Sequence, residues 1–383
     1  MRFHVVSLPH TVTSKAFTSC AYTQKVLNFC KMMHSLGHEV IHYGGEGSDV
    51  PCTEHVTIVT SKQRSAWWGS NDTSREFYRI EWDPRIDYWM AANGAAIRAI
   101  ATRIQPRDFL CFIGGACQKP IADAFPVHQA VEYGIGYEGT FAPYRVFESY
   151  AHMHYLYGKQ GQQDGRYYDE VIGNYYDPAD FPGPREPKDY FLFVGRLIER
   201  KGLHVAAMVA AERGARLLVA GQGVVEHGPG YVKAECGWTF EAPYLEYVGT
   251  VGVEERARLM GEARALFVPT QYIGPFEGVH AEALLCGTPV ITTDWGCFAE
   301  TVLDGVDGFR TRSLGEMIWA AKECAKLDRA TIRERALARW SIDVVRHRYQ
   351  AFFDRVGSLW DPGGGWNSLV YDPTEKRVLG RWS

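Results

Sequence analysis

A chain of 383 residues, 46% hydrophobic and 22% charged, is too long for a single hydrophobic core and too apolar to be disordered. The formal net charge of −4 excludes a generally basic protein, so charge does not indicate a nucleic-acid partner, and no apolar run reaches the length of a membrane span. Nine cysteines without a CxxC pair, and a first segment without signal-peptide features, predict a cytoplasmic protein with reduced thiols.

The first half of the chain alternates between strand and helix patterns. An apolar run over 3–7 predicts a strand, 22–36 has helical spacing and ends at Gly37, and 38–43 predicts the next strand. The same kind of pattern predicts helices over 84–104, 121–125 and 146–157 and strands over 109–113, 128–132 and 170–172. Such alternation is typical of a parallel sheet with helices on both faces, an α/β fold.

A proline-rich stretch over 177–189, with four prolines, predicts a domain linker. After it the alternation restarts, from a strand over 190–195 to one over 289–293. We therefore predict two doubly wound, Rossmann-like domains, over residues 1–180 and 181–340, which face each other across a cleft. Residues 341–383 are predicted to form a long amphipathic helix and a tail that pack back towards the first domain.

Two segments of the second half carry the residues of a candidate site. The segment FLFVGRLIERKG (191–202) ends a strand and places Arg196 and Lys201 at the start of a helix, and PFEGVHAEALLCGTPV (275–290) places Glu282 in another. Two cations beside a helix start suit a diphosphate, and a carboxylate nearby suits a ribose diol. These segments predict a pocket for a nucleotide diphosphate.

The second half also resembles a known family, the family-4 glycosyltransferases of the GT-B fold. The matching pieces, in the family's order, are VGRLIERKG, LLVAGQG, YVGTVGVEERARLMGEARALFVPT, PFEGVHAEALLCGTPVITTD and ETVLDGVDGF. In the first half, KVLNFCKMMHSLGHEV and VIGNYYDPADF match more loosely. The resemblance implies a hexosyl- or pentosyltransferase that moves a sugar from a nucleotide-diphosphate donor to a hydroxyl acceptor, with retention at the anomeric carbon and without a metal or other cofactor.

Position by position, the resemblance implies roles for residues of both segments. Arg196 and Lys201 would hold the diphosphate and stabilise the leaving group, and Glu282 would bind the ribose hydroxyls. Taken alone, the two cations would be a solvated helix start and the glutamate an ordinary surface carboxylate. The implied donor-binding set also contains Gly195, Phe276, Gly278 and Val279.

One position departs from the family pattern. Relatives place a glutamate eight residues before the one that binds ribose, and this chain has Gly274 there. Where the pattern gives E-P-F-G, residues 274–277 read G-P-F-E. Either Glu277 supplies the sugar-contacting, catalytic carboxylate from the same loop, or that contact is absent and Glu277 is an exposed loop residue.

Candidate residues for the acceptor side lie in the first half and carry weaker signals. His10 follows the first predicted strand at its carboxyl end, where ligands of parallel sheets gather, and Gly134 and Tyr137 belong to a glycine- and aromatic-rich stretch over 131–141. The family resemblance aligns Ser19 and Cys20 with a glycine-rich loop and offers His128 for a histidine that many relatives have. The candidates are His10, Ser19, Cys20, His128, Gly134 and Tyr137. The aromatic-rich stretch over 65–89 is predicted to pack on the core rather than to bind sugars.

Two other functions remain open at this point. The departure at Gly274 allows a non-catalytic protein that only binds a nucleotide sugar. A DNA-modifying glycosyltransferase, with a modified nucleobase as acceptor, would keep the chemistry but needs a basic groove. The acceptor of the leading hypothesis is a glycan, a lipid or a small molecule.

Overall fold

The computed structural model describes residues 1–17, 20–69 and 80–361, and the backbone of 369–372 and 377–380. Its first half is a seven-stranded, all-parallel sheet with strand order β3-β2-β1-β4-β5-β6-β7. The strands are β1 (Arg2–Val6), β2 (Glu39–Gly45), β3 (Glu54–Val59), β4 (Phe109–Phe112), β5 (Gln129–Ile135), β6 (Tyr144–Phe147) and β7 (Asp169–Val171). The helices are α1 (Ala21–Ser35), α2 (Ser61–Trp68), α3 (Asp87–Ala101), α4 (Lys119–Asp123) and α5 (Tyr150–Lys159).

The second half is a six-stranded parallel sheet with order β13-β9-β8-β14-β15-β16. Its strands are β8 (Phe191–Val194), β9 (Leu217–Ala220), β13 (Leu245–Gly249), β14 (Leu266–Val268), β15 (Val290–Thr293) and β16 (Gly308–Thr311). The connection from β9 to β13 is an antiparallel sheet of β10 (Val224–Gly228), β11 (Tyr231–Ala234) and β12 (Thr239–Glu241). The helices are α6 (Leu203–Glu212), α7 (Val253–Glu262), α8 (Val279–Leu285), α9 (Phe298–Thr301), α10 (Leu314–Glu323), α11 (Arg329–Trp340) and α12 (Ile342–Gly357). An antiparallel pair, β17 (Leu369–Asp372) and β18 (Arg377–Gly380), ends the described backbone.

The central strands are short apolar runs because both of their faces are covered by helices. Strand β4, FLCF, is buried at all four residues, and β9, LLVA, is buried in the same way. Continuous apolar strands of this kind are typical of parallel sheets, whereas one-sided sheets alternate. The buried faces therefore fix the strands in register, and the residues that follow them at the carboxyl ends are left to line the cleft.

Helix α12 follows the second domain in sequence but packs on the first. The ring centroid of Phe353 lies 4.6 Å from that of Phe3 in β1, and Tyr349 lies 5.3 Å from Phe29 in α1. The long apolar stripe predicted over 341–360 thus covers the first core, as a helix that crosses back. The fold prediction, two Rossmann-like domains with a returning C-terminal helix, agrees with this architecture.

The two chain crossings between the domains run side by side. The amide of Tyr176, at the first crossing, donates to the carbonyl of Trp340 over 2.8 Å, and the amide of Ile342 donates to the carbonyl of Tyr176 over 2.9 Å. These bonds join the segment that leaves the first domain to the segment that returns to it. The two segments that connect the domains therefore lie next to each other.

Candidate active site

The cations of the predicted diphosphate pocket follow β8 in a tight turn. Arg196 is exposed, and Lys201 ends a single 3₁₀ turn over Glu199–Lys201. Gly202, with φ +79°, then starts α6, and a Cβ there would lie 2.1 Å from the carbonyl oxygen of Pro269. Only glycine fits this close approach. The turn thus sets Lys201 at the carboxyl edge of the sheet, beside the loop that follows β14.

Lys201 and Glu277 form an ion pair across that edge. The Lys201 side chain is 18% exposed and that of Glu277 only 3%, and the hydroxyl of Tyr272 donates a hydrogen bond to the same carboxylate. Burial, followed by the charge of Glu277, raises the pKa of Tyr272 well above its usual value, so the hydroxyl keeps its proton and donates. The guanidinium of Arg200 lies over the Tyr272 ring at 4.3 Å. The structure therefore joins a predicted phosphate-binding cation to the predicted sugar-contacting carboxylate.

The structure shows how Gly274 and Glu277, which are exchanged relative to the family pattern, fit together in the loop over 274–277. Glu277 has φ +60°, in the left-handed region that favours glycine, and the family pattern has glycine at this position. A Cβ at Gly274 would lie 2.6 Å from the Oε1 of Glu277 and 2.7 Å from its Cγ. The Glu277 side chain therefore occupies the space into which a side chain at 274 would extend. Sequence reasoning identified both positions but not their mutual exclusion.

Buried groups support the backbone of this loop. His280, fully buried in α8, bonds through Nδ1 to the carbonyl oxygen of Glu277 at 2.7 Å. Burial lowers its pKa to about 4, so the ring is neutral at pH 7 and Nδ1 is the donor. Phe276 is buried against Trp340, with ring centroids 6.0 Å apart, so its side chain anchors the loop in the core. The predicted donor-binding role of Phe276 can therefore concern only its backbone.

The predicted ribose-binding carboxylate lies on α8 and has a cation beside it. Glu282 Oε2 is 2.7 Å from Nε of Arg256 in α7, and both side chains are mostly buried. Val279 and Gly278 precede it, and the Gly278 carbonyl accepts a hydrogen bond from the Tyr176 hydroxyl at 3.2 Å. Arg256 was not among the predicted residues. Its signal was only its place on one face of an amphipathic helix, which many surface arginines share.

Three of the acceptor-side candidates lie together at the carboxyl edge of the first sheet. Cys20 precedes α1, Gly134 is near the end of β5 with φ +61°, and the Tyr137 ring lies 5.8 Å from that of Tyr22. Burial raises the pKa of the Tyr22 hydroxyl. Ser149, which follows β6 at the same edge of the sheet, contacts the carbonyl oxygen of Pro275 in the second domain at 2.6 Å. These residues are therefore brought towards the donor side.

Two charged residues that sequence reasoning missed lie in the same place. Lys25 of α1 and Glu148, just after β6, form a buried ion pair, and the Lys25 ammonium is 4.6 Å from the centre of the Tyr22 ring. Gly136 packs on this carboxylate, because a Cβ there would lie 2.8 Å from its oxygens. The available signal was a lysine on the apolar face of α1, where the neighbouring positions are core residues.

Of the remaining candidates, one is a buried histidine that follows β1, one lies at the opposite edge of the sheet and one lies outside the described residues. His10 is buried, and burial lowers its pKa to about 3, so it is a neutral core histidine close to Trp68. His128 precedes β5 and therefore lies at the amino edge of the sheet, opposite the cleft, where its Nε2 bonds to the carbonyl of Gln105. Ser19 lies outside the described residues.

The described residues contain neither a candidate metal site nor a candidate membrane-spanning helix. Among residues 1–17, 20–69 and 80–361, no group of three or more His, Cys, Asp or Glu side chains is placed to hold a metal ion. None of the described helices is both long enough and apolar enough to cross a membrane.

Comparison with known sequences finds a family that matches part of the second domain. Residues 188–326 match the family described as Glycosyl transferases group 1. Glycogen synthase of Mycobacterium tuberculosis is 31% identical over 147 residues, 36% of this chain and 34% of that protein. An uncharacterized glycosyltransferase of Methanocaldococcus jannaschii is 28% identical over 130 residues, 33% of this chain and 32% of that protein. The matched region thus spans about a third of the length of these curated relatives.

Solved structures match over almost the whole chain. AviGT4, a glycosyltransferase involved in avilamycin A biosynthesis, superposes with a TM-score of 0.66 at 21% identity and covers 93% of this chain and 98% of its own. Sucrose-phosphate synthase from Thermosynechococcus elongatus superposes with a TM-score of 0.67 at 15% identity, and the match covers 93% of this chain and 98% of that one. Anabaena HepE in complex with UDP and glucose superposes with a TM-score of 0.62 at 11% identity, and the match covers 92% of this chain and 99% of that one. At these identities the likeness is one of fold.

The whole-chain likeness confirms the predicted GT-B fold. The match to the group 1 glycosyltransferases covers residues 188–326, which include Arg196, Lys201 and Glu282.

Proposed function

We propose that this protein is a retaining glycosyltransferase that moves a hexosyl or pentosyl group from a nucleotide-diphosphate donor to a hydroxyl acceptor. The observation that carries the proposal is the contact of Glu277 with Lys201 and Tyr272 at the carboxyl edge of the second sheet, near Arg196. In the family resemblance, this is where the donor's phosphates meet its sugar. The proposal is supported by the position of these residues at one edge of the second sheet.

The chemistry follows from the charges at this edge. As the bond between the anomeric carbon and the phosphate oxygen breaks, negative charge develops on the diphosphate, and Arg196 and Lys201 are placed to stabilise it. An ammonium has three donors, so Lys201 can contact the phosphate while it keeps Glu277. The acceptor oxygen attacks from the face that the leaving group vacates, its proton passes to the departing phosphate, and the anomeric configuration is retained. Glu277 accepts hydrogen bonds from the sugar hydroxyls.

The nucleotide and acceptor are chosen for testing from the neighbours of the fold. HepE was solved with UDP and with UDP-glucose, so UDP is the first nucleotide to test. The acceptor is proposed to be a glycan, a lipid or a small molecule. A modified nucleobase as acceptor stays a prediction, and the charge of the chain does not support it. A cytoplasmic location also stays a prediction.

Binding of the donor tests the proposal. We expect UDP, GDP or ADP, with their sugars, to raise the midpoint of thermal unfolding, because a ligand that binds the folded state stabilises it. Arg196→Ala should weaken that binding by about 10- to 100-fold, since it removes a charge-assisted contact. Arg216→Ala is the matched control, because Arg216 is about as exposed, pairs with Glu246 and lies at the opposite edge of the sheet. Equal binding by both variants would contradict the assignment of Arg196.

Metal dependence and product stereochemistry test the mechanism. Transfer should continue in excess EDTA, because the cations at the phosphate site belong to the protein. NMR of the anomeric proton should show the donor's configuration in the product. An absolute requirement for Mg²⁺ or Mn²⁺, or an inverted product, would contradict the mechanism but not the binding of a nucleotide sugar.

One observation favours a second candidate, a protein that binds a nucleotide sugar without transferring it. The carboxylate expected at 274 is absent, and Glu277 is already paired with Lys201. Mass spectrometry of donor incubated with the protein and a panel of acceptors separates the two functions. Binding without hydrolysis or transfer would establish the second.

A further inference from the structure

The amino end of α5, in the first domain, contacts the donor loop of the second. The hydroxyl of Ser149 lies 2.6 Å from the carbonyl oxygen of Pro275 and donates to it. The same hydroxyl oxygen accepts the amide of His152 at 3.1 Å, so Ser149 is also the N-cap of α5. Ser149 is fully buried. One side chain therefore connects the start of a helix in one domain to the G-P-F-E loop of the other.

A second contact fixes the same helix end to the second domain. The amides of Tyr150 and Ala151 donate to the two carboxylate oxygens of Glu300, in α9, at 3.0 and 2.9 Å. A carboxylate at a helix amino end is favoured by the helix dipole as well as by these bonds. Arg339 in turn donates to the carbonyl of Glu300 at 3.0 Å. This contact holds the domains in the arrangement in which Ser149 reaches Pro275.

The Pro275 carbonyl, which accepts the hydrogen bond from Ser149, lies two residues before Glu277, the loop residue with the least favourable backbone angle. Glu277 has a left-handed φ of +60°, which a residue with a side chain adopts only when its surroundings hold it. Its carbonyl is held by His280, and the carbonyl of Pro275 is held by Ser149. The backbone on both sides of Phe276 is therefore fixed, once from within the second domain and once from across the cleft.

We propose that Ser149 is a positioning residue for sugar transfer. Its hydrogen bond to the Pro275 carbonyl fixes the loop over residues 274–277, so that the Glu277 carboxylate stays in position to contact the donor sugar. In this way a residue of the first domain positions the donor-binding loop of the second. The hydroxyl of Ser149 bonds to Pro275 and His152, and not to Arg196 and Lys201 or to Glu282, the residues proposed to bind the diphosphate and the ribose. This inference rests on the proposed function, in which Glu277 contacts the sugar.

Two substitutions separate this role from helix capping. Ser149→Ala removes both the hydroxyl donor and the cap, whereas Ser149→Gly removes the donor but leaves a residue that is nearly as good an N-cap. We expect both to lower kcat for UDP-glucose, or for the best donor of the panel, by about 3- to 10-fold, the effect of one lost hydrogen bond. Binding of UDP by calorimetry should be unchanged. Normal transfer by Ser149→Gly would overturn the proposal, because the effect of alanine would then be that of the cap.

A double-mutant cycle with Glu277→Gln gives a readout that a purely structural role would not change. If Ser149 acts through Glu277, Ser149→Ala should have little further effect in the Glu277→Gln background. Additive losses would overturn the proposal. Ser313→Ala is the control for cap loss, since Ser313 caps α10 in the same way without touching the donor loop. If the unsubstituted protein transfers no sugar at all, the proposed function fails instead, which is a distinguishable outcome.

Discussion

Lys201→Met should lower the free energy of unfolding by about 3 kcal/mol, the cost of leaving a buried carboxylate without its cation. The Glu277 side chain is only 3% exposed, and after the substitution the hydroxyl of Tyr272 remains as a neutral donor to it. Methionine keeps the aliphatic stem, so little packing is lost. Urea denaturation measures the change, and calorimetry with UDP should show a simultaneous loss of affinity of about 10- to 100-fold.

A matched lysine and a double variant make this result specific. Lys188 pairs with Glu262 at 2.8 Å, but its side chain is 59% exposed, so Lys188→Met should cost less than about 1 kcal/mol. Combining Lys201→Met with Glu277→Gln removes both charges and should restore most of the stability without restoring UDP binding. If Lys201→Met alone is as stable as the unsubstituted protein, the ion pair contributes nothing and the buried-pair argument is wrong.

Much of the fold was predictable because short apolar runs and helical spacing were separated by clear breaks. The wrong assignment over 146–157 shows the limit of this reasoning. Its first residues end β6, and the helix begins only at Tyr150, because Ser149 has extended backbone angles, φ −153° and ψ 156°, and caps the helix. The antiparallel sheet between β9 and β13 was also missed, since a crossover between parallel strands is usually a helix.

The candidate site was predictable only where one segment carried it. Arg196 and Lys201 share one turn, and Gly274 and Glu277 share one loop, so sequence spacing alone brings each pair together. Lys25 and Glu148 are 123 positions apart and meet only because the fold brings the start of α1 to the residue that follows β6. The contact of Ser149 with Pro275 joins two domains, so no local pattern could indicate it.

Gly274→Ala should destabilise the protein by about 1–3 kcal/mol, because overpacking forces a neighbouring group to move. The added methyl would lie 2.6 Å from Glu277 Oε1, and that carboxylate is held by Lys201 and Tyr272. In the Glu277→Gly background the clash is absent, and glycine also accepts the left-handed φ at 277 without strain. The same Gly274→Ala change should then cost well under 1 kcal/mol, which urea denaturation of the three variants and the unsubstituted protein measures. Equal costs in both backgrounds would mean that the two positions do not compete for space.

Glu277→Gln should cut sugar transfer by about 10- to 100-fold, since a hydrogen bond to a charged group is lost in the transition state. Binding of UDP should change far less, because Arg196 and Glu282 are untouched. Glu282→Gln is the converse control and should weaken UDP binding itself. The exchange of Gly274→Glu with Glu277→Gly returns a carboxylate to the loop in the usual E-P-F-G order, so it should recover part of the transfer that Glu277→Gly alone loses. If Glu277→Gln transfers at the unmodified rate, Glu277 does not contact the sugar. Its pairing with Lys201 would then be a structural contact only.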